Sequence, residues 1–152
     1  MSGTQDSDLL NELIAVCHDG ECFYRHAAKA VENSELRSLF WEMADSRRQI
    51  AEALSDKLAG AEGEGRDGTA LSQRMRRLYA ELEARLSRDS DVRYVSELEH
   101  REAHALYNFR QSISSVQNTR LAQELARHLA SIQVMHDRMH LIREEIEGRQ
   151  RR

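Results

Sequence analysis

The stretch GAEGEGRDGTALSQRMRRLYAELEARLSRDSD, residues 60–91, decides between two helical folds. Its start is loop-like, with Gly60, Gly63, Gly65 and Gly68 crowded together, and the run Ser87-Arg88-Asp89-Ser90-Asp91 breaks the chain again at its end. Between them Leu71, Met75, Leu78, Leu82 and Leu86 recur every three or four residues. That spacing predicts a helix over about 70–87, with Thr69 placed to cap it. Two helices joined end to end need only a few linking residues. A connection of about thirty residues with its own helix can instead cover the roughly 38 Å length of a 25-residue helix. It therefore lets the next helix start where the previous one started and run parallel to it.

On either side of this connection the pattern is helical. A first long helix is predicted over about Ser7–Glu32, with Leu10, Leu13, Ile14, Cys17, Tyr24, Ala28 and Val31 at helical spacing. A second runs over about Glu35–Ala59, with Leu36, Leu39, Phe40, Met43, Leu54 and Leu58 on one face, and Ser34 can cap it. After the connection, a third spans about Val92–Ser115 and a fourth about Arg120–Glu147, the latter capped by Asn118 or Thr119. The breaks at Asn33-Ser34 and before Arg120 are so short that each neighbouring pair must form an antiparallel hairpin. The expected architecture is all-α and a single domain over 1–152, two antiparallel hairpins joined by a crossover at about 60–90 that lays a short extra helix on the outside. The basic tail 148–152 is expected to fray.

Composition supports this class. The chain has 152 residues and no proline, and good helix formers dominate. The formal charge of −4, with both signs interleaved, argues against a nucleic-acid surface. No apolar run approaches the ~20 residues that span a bilayer. The polar start MSGTQDSD is unlike a signal peptide, so a cytoplasmic location is expected. Cys17 and Cys22 lie about 140° apart around one helix and cannot easily bridge one another, which suits a reducing compartment.

Each long helix breaks its apolar stripe once near the middle, at Glu21, Arg47, Glu102 and His136. Counting from the hairpin turns sets Glu21 opposite Arg47 and Glu102 opposite roughly Ile132 or Gln133, with His136 one turn deeper. A buried charge is costly unless paired, and a guanidinium fork can bridge two carboxylates. The expected site is a buried polar network of Glu21, Arg47, Glu102 and His136, with the arginine in the space a cation would take and no catalytic residue assigned.

These residues also carry a resemblance. The patterns C-x-D-G-E-x-F-x-x-x-A from Cys17, L-F-x-x-M-A-x-x-R-x-Q from Leu39, L-E-H-R-E from Leu98 and H-D-R-M from His136 resemble a bacterial family of ferritin-like four-helix bundles of unknown function. The resemblance implies a degenerate relative of the rubrerythrin and ferritin group. That group holds two metal ions with one Glu on each of two helices and Glu-x-x-His on each of the other two. Glu21 and Glu102 match the single glutamates. The remaining motifs fall on Arg47-Arg48-Gln49-Ile50 and Gln133-Val134-Met135-His136, where only His136 is kept. The resemblance thus implies the fold without an intact di-iron site. No cofactor is expected; were iron or another divalent metal bound, Glu21, Glu102 and His136 would hold it.

Other polar residues carry less. His100 and His104 have the i, i+4 spacing that can bind zinc, but they turn about 160° from Glu102 and so face outward. His18 and His26 lie off the inward stripe. Trp41, Phe23 and Tyr94 are expected at least partly exposed. The expected role is non-enzymatic, structural or binding, with stress physiology as the setting considered. The alternatives are a divergent metal-dependent oxidoreductase using Glu21, Glu102 and His136, and a partner-binding adaptor using the outer helix faces. No nucleic acid or membrane partner is expected, and a homo-oligomer is allowed.

Overall fold

The computed structural model describes residues 2–60, 70–85 and 90–151. Every element is a helix: α1 (Ser2–Ala30), α2 (Ser34–Gly60), α3 (Ala70–Glu83), α4 (Asp91–Ile113) and α5 (Thr119–Arg151). Both expected hairpins form, α1 with α2 and α4 with α5, and α3 lies on the crossover between them.

Local chemistry sets the helix starts. The Asn33 side chain accepts from the backbone N–H of Leu36 at 2.9 Å, so Asn33 rather than Ser34 caps α2. Ser90 caps α4 through the N–H of Arg93, and Asn118 caps α5 through the N–H of Leu121. The crossover helix stops at Glu83, earlier than its leucine spacing predicts, in a turn where the N–H of Arg85 reaches the carbonyl of Leu82 at 3.1 Å. Thr69 and Leu86 lie outside the described residues, as does the side chain of Leu71. At the other end α5 continues past Glu147 to Arg151, because Gly148 stays helical and no proline follows. Arg149 in that last turn faces Glu145 at 3.8 Å and Glu35 of α2 at 3.9 Å.

Long-range pairs fix the directions. The Asp91 carboxylate at the start of α4 accepts from the backbone N–H groups of Glu32 (3.0 Å) and Asn33 (2.8 Å) in the α1–α2 turn. Helix α4 therefore begins where α2 begins and runs parallel to it. Helix α5 runs antiparallel to α2, with Glu42 paired to Arg138 at 2.8 Å and Lys57 to Glu124 at 2.5 Å. Helix α3 runs alongside α1, Arg76 against Asp19 and Glu83 against His26, and antiparallel to α4, Glu81 against Arg101 and Arg85 against Glu97.

Helix α3 is thus seated on the outside of the bundle over α1 and α4, as the crossover predicts, and Tyr79 joins Met75 and Leu82 of the expected stripe on its buried face. Met75, Tyr79 and Leu82 are buried, and Leu78 is only half-buried. Phe23 and Tyr94, which would face solvent in a bare four-helix bundle, are buried beneath α3. Phe23 stacks on Tyr79 with ring centroids 4.6 Å apart and lies 6.3 Å from Tyr94. Trp41 is 42% exposed. The core has two parts. One surrounds Phe23, Tyr24, Phe40, Tyr79 and Tyr94 towards the α1–α2 turn, and the other surrounds Leu10, Cys17, Leu54 and Leu125 towards the opposite end.

The Asp91 tie should be measurable. Hydrogen bonds to a charged acceptor contribute about 1.5–3 kcal/mol. Asp91→Ala should lower stability by about 2 kcal/mol in urea unfolding and Asp91→Asn by roughly half as much. Loss of under 0.5 kcal/mol for Asp91→Ala, the range of an ordinary surface change, would show that the turn is held some other way.

Candidate functional site

The one stripe-breaking residue that reaches the middle of the bundle from α4 is Glu102, and it meets donors from three other helices. Arg47 of α2 donates from Nη2 to Glu102 Oε1 at 3.0 Å. The hydroxyl of Tyr79, from α3, donates to the same oxygen at 3.1 Å. The hydroxyl of Tyr24, from α1, donates to Oε2 in a short bond. The side chains of Arg47 and Glu102 are 5% and 2% exposed, so this is a buried salt bridge with its acceptors filled by phenols. The guanidinium also lies over the Tyr24 ring, 5.6 Å from its centroid.

Gly20 allows this convergence. A Cβ there would come within 3.3 Å of Arg47 Nη1 and 3.4 Å of the Tyr79 hydroxyl. Glycine inside a helix costs about 1 kcal/mol relative to alanine. Here the bare backbone leaves room for two side chains entering from different helices.

The electrostatics follow from burial. Burial raises the Tyr24 and Tyr79 phenols well above their ordinary value, and the Glu102 charge beside them adds to the rise. Burial opposes the Arg47 charge, but Tyr79 and Glu102 more than offset it and the net shift is upward. The Cys17 thiol is pushed up to about 11, chiefly by burial and against the pull of Arg47. Burial raises Tyr94 as well. The Tyr94 hydroxyl and His128 Nε2 are both enclosed and have no hydrogen-bond partner among the described residues.

Of the four residues expected to converge, the structure brings together Arg47 and Glu102. Glu21 stands apart: it pairs with Arg25 at 2.7 Å on its own helix and is 13% exposed. Two adjoining stripes of α1 are buried, Cys17, Tyr24 and Ala28 and, beneath α3, Val16, Gly20, Phe23 and Ala27, so the face is centred between them and Glu21, about 100° round from Gly20, lies at its edge. His136 is buried but bonds elsewhere, its Nε2 lying 3.1 Å from the Glu99 carbonyl oxygen. Antiparallel pairing sets position 136 opposite 99, about 4.5 Å along the axis from Glu102. Around it is a second polar group, in which the Glu99 carboxylate accepts from Arg143 Nε at 2.5 Å and lies 3.1 Å from His140 Nδ1. His100 and His104 are exposed, as their spacing predicts.

Tyr24, Tyr79, Glu99 and Arg143 are site residues that the stripe analysis missed. Tyr79 had a signal: it lies i+4 from Met75 and i−3 from Leu82, two members of the α3 stripe, and so shares their face. Gly20, isolated in a helical run, was a second signal. Among the described residues, no three His, Cys, Asp or Glu side chains come together as a group that could hold a metal ion. Glu21, Glu102 and His136 therefore do not form the site that the metal alternative requires.

Two measurements probe the network. Removing one partner of a buried pair typically costs about 3–5 kcal/mol because the other charge is left uncompensated. Arg47→Leu should fall in that range at neutral pH, and Arg47→Leu with Glu102→Gln should cost less than Arg47→Leu alone. A cost for Arg47→Leu within about 0.5 kcal/mol of zero in urea unfolding would show that the pair carries no such burden.

The phenols supply a pH signature. Below pH 10, the ordinary value, Tyr24, Tyr79 and Tyr94 are protonated in both folded and unfolded chains. Above it the unfolded chain releases these protons and the folded chain retains them. Stability is therefore full below pH 10 and falls as pH rises, by about 1.4 kcal/mol per unit for each phenol held. In Tyr107→Phe, which removes the exposed fourth tyrosine, the tyrosinate absorption band should appear only as helical circular dichroism is lost. A band that rises while the helices persist would show that the phenols are open to water.

Comparison with curated proteins finds no match, and comparison with solved structures finds none. A family model matches residues 5–115, a span that takes in most of α1, all of α2, α3 and α4, and the three residues that donate to Glu102. The chain belongs to the family described as a domain of unknown function, DUF2383.

Proposed function

We propose that the chain is a non-enzymatic bundle of ferritin-like architecture, with a structural or binding role, whose interior is closed by an ion pair in place of a metal centre. The observation that carries this reading is the filling of Glu102. Arg47, Tyr79 and Tyr24 all donate to its two oxygens, so the carboxylate has little left to offer a cation. The other buried carboxylate among the described residues, Glu99, is likewise set against an arginine, Arg143. A di-metal centre of the ferritin type needs several inward carboxylates released from such partners. A cytoplasmic setting goes with this reading: Cys17 and Cys22 are free thiols, and no described helix is long and apolar enough to cross a membrane.

Metal analysis tests the proposal. Untagged protein expressed with excess iron should hold far less than the two irons per chain of an intact site. Its melting temperature should be unchanged by a chelator. Near-stoichiometric iron, lost together with thermal stability on chelation, would overturn the reading in favour of a metalloprotein.

A further inference from the structure

We propose that the seam between α4 and α5, away from the α1–α2 turn, binds a single-chain amphiphile with an anionic head, of the size of a medium-chain fatty acid. Four observations converge on this seam. First, a cavity of about 40 Å³ lies beside the Arg47–Glu102 pair, and aliphatic and aromatic side chains such as Leu54, Leu106, Phe109 and Leu125 form most of its wall. At its polar end Arg47 is neutralised by Glu102, the Cys17 thiol is protonated, and His128, on the α5 side of the wall, lies 3.7 Å from Glu124. A second carboxylate at that end would face Glu102. That end accepts an apolar tail and repels an anionic head.

Second, α5 is held loosely along the same stretch. Of its 33 residues only Leu121, Leu125, His136 and Met139 are buried, while Leu129 and Ile132 share that stripe and remain half-buried. Third, the cavity adjoins the outside. Ile113 and Leu129 line it and also line a surface groove between α4 and α5, which the exposed Ala126 and Ala130 line as well. The two branched side chains are thus common to the inside and the outside. Fourth, the groove has one charged wall residue, Arg110, with no carboxylate among its lining and no ion pair to Arg110 among the described residues.

An apolar slot inside and, at its mouth, an arginine with no ion pair among the described residues match the polarity of an anionic amphiphile. The end of the tail fills the cavity between Ile113 and Leu129, the rest lies along Ala126 and Ala130, and the head meets Arg110. A wholly apolar molecule would gain nothing from Arg110, and an anion without a tail would gain nothing from the slot. The site is separate from Glu99 and His136 and does not depend on the absence of a metal, so its failure would leave the proposed role untouched.

The test uses the full chain, titrated with decanoate below its micelle-forming concentration, by calorimetry and thermal unfolding. Decanoate should bind saturably and raise the melting temperature, with decanol and hexanoate both weaker. Ala105→Val and Ala105→Leu add volume at the cavity wall and should weaken decanoate by about tenfold or more. Arg110→Gln is an exposed change that leaves the fold intact. It should weaken decanoate about fivefold and leave decanol unchanged. Absence of saturable binding, binding that lowers the melting temperature as a detergent does, or wild-type affinity in both Ala105→Val and Arg110→Gln would overturn the proposal.

Discussion

A carboxylate cannot stay ionised in a protein interior without compensation, and Glu102 meets that requirement by drawing one donor from each of α1, α2 and α3. Taking such a pair out of water costs several kcal/mol per ion, and good geometry returns most of it. Its larger consequence is for register. Sliding any one of the four helices by a turn, about 5.4 Å, would take its donor or acceptor out of reach and leave the rest uncompensated. Leucine and alanine contacts elsewhere in the core tolerate small shifts, whereas this cluster has one arrangement that satisfies every member.

The same constraint explains why the crossover helix belongs to the core. Tyr79 reaches Glu102 only if α3 lies in the groove over α1 and α4, and that groove is open only if α1 presents no side chain at position 20. With α3 seated, Phe23 and Tyr94 become interior residues and stack around Tyr79. The surface pairs of α3, Arg76 with Asp19 and Arg101 with Glu81, are exposed and contribute about 1 kcal/mol each at most. Burial of Met75, Tyr79 and Leu82 therefore holds the helix down, and the ion pairs set its direction.

Much of the fold was legible because helical periodicity, two short breaks and one long glycine-bracketed connection leave few topologies. Arg47 and Glu102 were legible for the same reason: each interrupts an apolar stripe, and counting from the hairpin turns puts both near mid-height. Glu21 was misplaced because the inward direction of α1 was judged from Cys17, Tyr24 and Ala28, as though only the other long helices covered it. Packing of α3 widens and rotates that face by about one residue, which carries Gly20 in and Glu21 to the edge. His136 lies one turn from the level of Glu102 by residue count, and the antiparallel offset gives it to Glu99 instead. Tyr79 illustrates the general difficulty. A phenol among leucines has no charge to mark it as out of place, so its hydrogen-bonding end is found only when its partner is known.

The ion pair also divides the interior unevenly. On the side of the α1–α2 turn, aromatic rings surround Glu102 and fill the space to its tyrosine partners. On the other side the guanidinium and carboxylate face a wall that is mostly aliphatic, with Cys17 and His128 its polar members, and neither of these is hydrogen-bonded to the pair among the described residues. Side chains there gain by packing on one another and gain little by closing on the charged groups, so the void lies next to the pair and is bounded by Ile50, Leu54 and Ala105. Helix α5, tied to α2 by charged pairs at Glu42, Lys57 and Glu35, is braced from outside by these contacts while its inner stripe stays half-buried. A bundle whose register is fixed by a polar cluster at mid-height can leave one seam under-packed without losing its topology, and in this chain that seam lies between α4 and α5.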